Sequence, residues 1–126
     1  NDAACAGLAM CFSAEQKVED AWEWNMRALS INAENQSALL GTIQLAYHLE
    51  RLPVLESALR EYLELHPADL EFAYALAGCC YAQGKYRETL RLCEQIEVFS
   101  PGNSRAHELK TTVRKHMSIG AVPPVQ

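Results

Sequence analysis

Apolar side chains return along this chain at steps of three and four: Cys5, Leu8, Ala9 and Phe12 first, then Ala21, Met26, Ala28 and Leu29. That spacing gathers them on one side of a 3.6-residue helix, so helices are predicted and strands are not. The first helix starts at Asn1 or Asp2, either of which can accept hydrogen bonds from the open N–H groups of a helix start, and runs to about Ala14. The second covers Val18 to Ile31. The third, capped by Asn35, covers Gln36 to Leu49. Pro53 opens the fourth in its first turn, where a missing N–H is harmless, and Pro67 lies where it can no longer continue. Asp69 caps the fifth, which ends near Gln83, and the sixth spans Tyr86 to Phe99. After the turn Ser100-Pro101-Gly102-Asn103 a last helix runs from Ser104 to Ser118, with Ala106, Leu109, Val113 and Met117 as its apolar stripe. Residues 120–126, with Pro123-Pro124, read as a flexible tail or linker.

The helices come in pairs, and the pairs repeat. A slide of 34 places lays Pro67 on Pro101, Leu39 on Ala73 and the break Glu50-Arg51-Leu52 on Gly84-Lys85-Tyr86. A second slide lays Ala33 on Pro67, Ala21 on Leu55 and Gln16 on Glu50. Self-similarity at this period, in helix-turn-helix units, marks a stacked array whose neighbours bury one another. Within it, Leu70 to Asn103 resembles the tetratricopeptide (TPR) repeat: Leu76-Ala77 stands at the family's Leu-Gly pair, Cys80 at its Tyr, Thr89 at its Ala, Cys93 at its aromatic position and Pro101 at its end. Gln83-Gly84-x-Tyr86-x-Glu88 matches the hinge. Residues 2–35 offer Leu8-Ala9, Phe12, Ala21 and Ala28, with Ala33 where Pro is usual. Residues 36–69 place Thr42-Ile43, Ala46, Leu55 and Leu59 at the pattern positions and keep the closing Pro67. The resemblance implies an all-α, right-handed α-solenoid: one domain over residues 1–119, built of repeats at 2–35, 36–69 and 70–103 and a capping helix at 104–118. The stripe of that last helix reads as one residue out of register, so it is left out of positional comparison.

In such arrays the first helix of each hairpin lines a concave groove that takes a peptide. Carried over residue by residue, the groove positions are Ala6, Gly7, Met10 and Ser13, then Leu40, Gly41, Gln44, Tyr47 and His48, then Glu71, Tyr74, Ala75, Gly78 and Tyr81. The residues expected to touch a ligand are Met10, Leu40, Gln44, Tyr47, His48, Glu71, Tyr74 and Tyr81. Tyrosine suits such a surface because its apolar body gives contact area and its hydroxyl stays soluble. The alternative is that the tyrosines only pack between neighbouring helices. The resemblance also argues against one sub-class, the clamp that grips acidic chaperone tails, because its Lys, Asn and Arg positions hold Ala6, Met10, Gly41, Glu71 and Ala75 here. Without a cation and with one carboxylate, such a clamp repels its ligand.

Composition narrows the field further. Apolar residues make up 49% and charged ones 21%, a globular balance, and the net charge of -5 argues against a nucleic-acid partner, which calls for a basic stripe. No apolar run reaches the ~20 residues that a membrane-spanning helix needs. Five cysteines (Cys5, Cys11, Cys79, Cys80 and Cys93) form an odd set without a C-x-x-C pair; they fit core filling in a reducing, cytoplasmic compartment better than disulfides or a metal site. The chain lacks a phosphate loop, H-E-x-x-H or nucleophile elbow, so no enzyme and no cofactor is expected. Cys79-Cys80 beside Tyr81, with His48 as a base, is the weak exception, set against ordinary core cysteines.

The expected role is a non-enzymatic protein-protein interaction scaffold that holds a peptide or protein segment in its groove. A second reading is an accessory domain of a larger enzyme such as a bacterial glycosyl- or methyltransferase. The third is self-association through the first hairpin, whose Trp22 and Trp24 are two residues apart and cannot share a helix face, so that one packs inward and the other points outward. Gly7, in mid-helix, reads either as a point of close helix packing or as room for a ligand backbone.

Overall fold

The computed structural model describes residues 1–120, and the side chains of residues 1–118. The expected tail over residues 121–126 lies outside the described residues, while Gly120 belongs to the last helix. The described residues form seven α-helices and no strand: α1 (Asp2–Ala14), α2 (Val18–Ile31), α3 (Gln36–Leu49), α4 (Leu52–Leu65), α5 (Leu70–Ala82), α6 (Tyr86–Phe99) and α7 (Ser104–Gly120). They form two compact units, Asn1–Leu65 with the first two hairpins and His66–Gln126 with the third hairpin and α7.

The repeat is visible in the backbone chemistry. The N–H groups of Ala4, Ala38, Phe72 and Ala106 each donate to the side-chain oxygen of the residue three places earlier: Asn1, Asn35, Asp69 and Asn103, at 3.0, 2.9, 3.4 and 3.0 Å. Asn1, and not Asp2, is therefore the cap of α1. Asp2 instead accepts from the amides of Asn32 (3.1 Å) and Asn35 (2.8 Å), which ties the start of α1 to the turn between α2 and α3. These two bonds hold the Asp2 carboxyl below its ordinary range.

The hinges repeat as well. Lys17, Arg51 and Lys85 donate their backbone N–H to the carbonyls of Phe12, Ala46 and Cys80 at 2.9, 2.8 and 2.9 Å. Closing each helix this way needs one residue in the left-handed region, and Gln16 (φ 64°), Glu50 (φ 59°) and Gly84 (φ 79°) supply it. Only the third hinge has the residue that adopts this conformation without cost.

Packing follows the predicted stripes. In the first unit Ala21, Ala28, Ala38, Leu39, Ala46, Leu55, Leu59 and Tyr62 are buried, and in the second Phe72, Leu76, Ala77, Leu92 and Ile96. The two buried threonines, Thr42 and Thr89, donate their hydroxyls to the carbonyls of Ala38 and Lys85 four residues back, and among the described residues no buried side-chain nitrogen or oxygen lacks a hydrogen-bond partner. Cys79, Cys80 and Cys93 are buried, Cys5 is half-buried and Cys11 is exposed, and none is in a disulfide.

The expectation for the last helix is corrected in part. Ala106 and Val113 are buried and stand 34 places after Phe72 and Cys79, also buried, so α7 keeps the register at these positions. At the third position the offset stands: Leu109 is buried 34 places after the half-buried Ala75, while Lys110, where α5 has buried Leu76, turns to Glu97 at 2.8 Å.

Candidate peptide-binding faces

Within the first unit, α1 and α3 pack beside each other and carry five of the expected ligand residues. Met10 is 66% exposed, Leu40 55% and Tyr47 45%; Gln44 and His48 are exposed with them. Apart from His48, no titratable side chain with an acidic or basic charge belongs to this group. Ala6, which the groove positions include, is corrected: it is buried in a cluster with Ala28 and Ala38 and offers nothing to a ligand. Gly41 has a structural reason to be glycine, because a Cβ there would meet Nδ2 of Asn25 at 2.7 Å. Asn25 is itself buried, at the α2 position where the repeat pattern calls for an aromatic residue. Pattern reading passes over a polar residue in a core, and the unexplained Gly41 is the signal that points to it. Gly7 is the opposite case: a Cβ there would meet nothing within 4 Å, so close packing inside the chain does not require it.

In the second unit the expected residues Glu71, Tyr74 and Tyr81 lie on α5, and α7 alters what they can do. The Arg105 guanidinium sits 4.1 Å from the centre of the Tyr74 ring while its Nη1 reaches the Glu71 carboxylate at 3.2 Å. A planar cation stacked on an aromatic face and paired with an acid is a local charge pair with its apolar side covered. The Tyr81 hydroxyl lies 3.0 Å from Nδ1 of His116, and the rings of Tyr81, Tyr86 and His116 cluster with centres 5.3 to 6.0 Å apart. Sequence reasoning missed Arg105 and His116 because it set α7 aside; carrying the repeat register one further period on from Glu71 leads directly to Arg105.

The tryptophans do not divide as expected. Trp22 and Trp24 are both half-buried, and each carries an arginine: Arg51 is 5.2 Å from the Trp22 ring and Arg27 is 4.5 Å from that of Trp24. Arg51 also holds both carboxylate oxygens of Glu19, at 2.9 and 2.8 Å, so the Trp22 side of the hairpin is closed by its own chain. Nor do the cysteines of the second unit suit a nucleophile. Cys79 and Cys80 are buried, and the Cys93 thiol is pushed up to about 11, first by burial and then by the Glu97 carboxylate, so it stays protonated at neutral pH. Among the described residues no three His, Cys, Asp or Glu side chains stand together as a metal site would need, and no helix is long and apolar enough to cross a membrane.

No family model matches the chain. Among curated proteins, the uncharacterized protein y4yS of Sinorhizobium fredii (strain NBRC 101917 / NGR234) is 29% identical over 97 residues, covering 71% of this chain and 53% of that protein. The chain thus spans about half the length of this relative. Solved structures are similar over nearly the whole chain. The first TPR of Spaghetti (RPAP3), bound to the HSP90 peptide SRMEEVD, superposes with a TM-score of 0.75 at 13% identity, over 93% of each chain. YrrB, a TPR protein with an unusual peptide-binding site, gives 0.76 at 18% identity over 94% of this chain and 61% of its own. The Thermobaculum terrenum O-GlcNAc transferase, as its K341M mutant, gives 0.65 at 20% identity over 97% of this chain and 24% of its own.

Proposed function

We propose that this chain, whose fold is that of tetratricopeptide-repeat domains, is a non-enzymatic module that holds a peptide or protein segment, with the exposed face of α1 and α3 as its main contact. The fold is shared with structures that bind peptides. The observation that carries the reading is the exposure of Met10, Leu40 and Tyr47 on neighbouring helices beside the polar Gln44 and His48. Large apolar side chains exposed on adjacent helices form the kind of patch that a partner covers.

The ligand class follows from charge. An acidic tail such as SRMEEVD needs cations in the groove, and the clamp positions Ala6, Met10, Gly41, Glu71 and Ala75 supply none. Arg105 is engaged by Glu71, and Glu71 itself repels carboxylates. An uncharged segment with an aliphatic or aromatic anchor fits the α1 and α3 face better, its backbone bonded by Gln44. We expect Glu71, Tyr74 and Tyr81 to contribute less, as their partners on α7 must first be displaced. The cysteines without disulfides support a reducing, cytoplasmic setting. An accessory role in a larger enzyme is the second reading, favoured by the match to one quarter of the O-GlcNAc transferase chain.

Pull-down with the wild-type protein and with the Leu40→Ala, Tyr47→Ala double variant tests the main reading. Proteins retained by the first and lost by the second support it, and an unchanged set removes this face as the site. A catalytic domain encoded in the same reading frame would decide for the accessory role.

A further inference from the structure

One polar side chain inside the first unit is bonded to nothing. Asn25 of α2 is only 3% exposed, and among the described residues its amide makes no hydrogen bond. Since no side-chain nitrogen or oxygen that is itself covered lacks a partner among these residues, the two polar atoms of Asn25 must still touch the surface. They lie against Gly41 of α3. Nδ2 is 2.7 Å and Oδ1 3.4 Å from the point where a Cβ on Gly41 would stand, and Gly41 is itself only half-buried. Packing gives this amide no purpose, because an apolar side chain at the same place would fill the core without the cost of an unbonded polar group. One period on, the same two places hold Leu59 and Ala75, which form no such pair. Ser37, Gln44 and His48 share the side of α3 that Gly41 is on, at steps of three and four, and all three are exposed.

We infer that the carboxamide of Asn25, reached over Gly41, is a hydrogen-bonding subsite for the main chain of an extended segment lying along α3. This deepens the proposed function and rests on it, since the segment is the one that Leu40 and Tyr47 anchor. The donor set selects the occupant. A carboxamide presents a donor and an acceptor side by side, the complement of the C=O and N–H that an extended residue shows along one edge. A carboxylate or phosphate brings acceptors alone and sets oxygen against Oδ1, while an ammonium brings donors alone and leaves Nδ2 unmet. Gly41 supplies the approach: with no Cβ in the way, a ligand backbone comes within bonding reach of an amide one layer down. Ser37, Gln44 and His48 continue the row. Helix positions three and four apart are about 4.5 and 6 Å apart along the axis, near the ~6.6 Å between main-chain groups on one edge of an extended chain. Asn25 thus fixes the register of the segment, and the apolar neighbours choose its side chains.

The probe that tests this is a peptide selected on the immobilised whole chain from a display library of short segments without Asp, Glu, Lys, Arg, Asn or Gln, then synthesised with capped ends. In calorimetric titration Asn25→Leu, which keeps the volume and removes the amide, should bind the peptide about tenfold more weakly, as loss of two neutral hydrogen bonds would, while its melting temperature rises. Gly41→Ala, which closes the opening, should weaken binding at least as much. On the wild type, replacing peptide amides by esters one at a time should find a position that costs about fivefold, and the same ester should cost nothing further on Asn25→Leu. The Leu40→Ala, Tyr47→Ala variant separates the two levels of the reading. A peptide lost by that variant yet held equally by wild type and Asn25→Leu overturns this inference and leaves the proposed function standing. If Asn25 matters only when Asn and Gln are readmitted to the library, the subsite takes a side-chain amide and the main-chain assignment is overturned. A peptide indifferent to the Leu40 and Tyr47 changes, or a selection that yields none, overturns both.

Discussion

Leu40 and Tyr47 on α3 stand one repeat before Tyr74 and Tyr81 on α5, at the same places in the pattern, and their surroundings differ. On α3 they are among the most exposed large side chains of the first unit. On α5 the first aromatic ring lies under Arg105 and the second is bonded to His116, both from α7. Repeat position determines which way a side chain points. On α5, whether a ligand can use it depends on α7.

The strongest way to break this comparison is by binding. Replacing Leu40 and Tyr47 together by Ala should weaken partner affinity by about 2–3 kcal/mol, as loss of anchor residues does, while Tyr74→Ala with Tyr81→Ala should cost clearly less in the same calorimetric titration. Equal losses would mean that α7 gives way easily and that the two pairs are equivalent. Next in size is the support beneath the α3 face. Gly41→Ala drives a methyl into the buried Asn25 amide and should cost about 1–2 kcal/mol in denaturant unfolding. Adding Asn25→Ala should return part of that loss, a coupling that a general helix effect would not produce.

The hinges sharpen the comparison between repeats. Glu50 holds the left-handed conformation that Gly84 adopts at the equivalent place, so Glu50→Gly should stabilise the protein by about 0.5–1 kcal/mol, and Gln16→Gly should do the same. Gly84→Ala should do the reverse in the same unfolding assay. A smaller effect is expected at Arg105. Both partners of its ion pair are largely exposed, so Arg105→Gln should change stability by under about 0.5 kcal/mol, with a salt dependence, yet leave the Tyr74 ring measurably more open to fluorescence quenching. The smallest effect is tied to pH. The folded pKa of Asp2 is lowered, so the contribution of its bonds is present above the ordinary value near 3.8 and fades as pH falls through the lower folded value. Melting curves of wild type and Asp2→Ala should therefore differ by a constant amount at neutral pH and converge in the acid range.

The helices were legible because their boundaries rest on local chemistry. Asn35, Asp69, Pro53 and Pro67 act on the few residues beside them, and the observed ends fall within two residues of those expected. The period was legible because it is a statement about sequence alone. Less could be read at Asn25, at Arg105 and at Trp22. Asn25 and Gly41 explain each other only once α2 and α3 touch. Arg105 reaches Glu71 across a full repeat of chain, and Arg51 covers Trp22 from beyond the following helix. No helical spacing rule links side chains so far apart. The exposed Ala4, Leu8 and Cys11 of α1 are a mixed case. They were in plain view as an ordinary apolar face, and only their comparison with the buried Ala38, Thr42 and Leu45, 34 places on, shows that the face lacks a neighbour among the described residues.

By itself, then, the order of residues determined seven helices, their pairing into hairpins and the hinge where each hairpin turns, because caps, prolines and apolar spacing act over distances of one or two helical turns. Which of the outward side chains remain open, which are covered by arginine or histidine, and which apolar stripe is left uncovered were decided by helix against helix, since those contacts join residues that the chain keeps 30 or more positions apart.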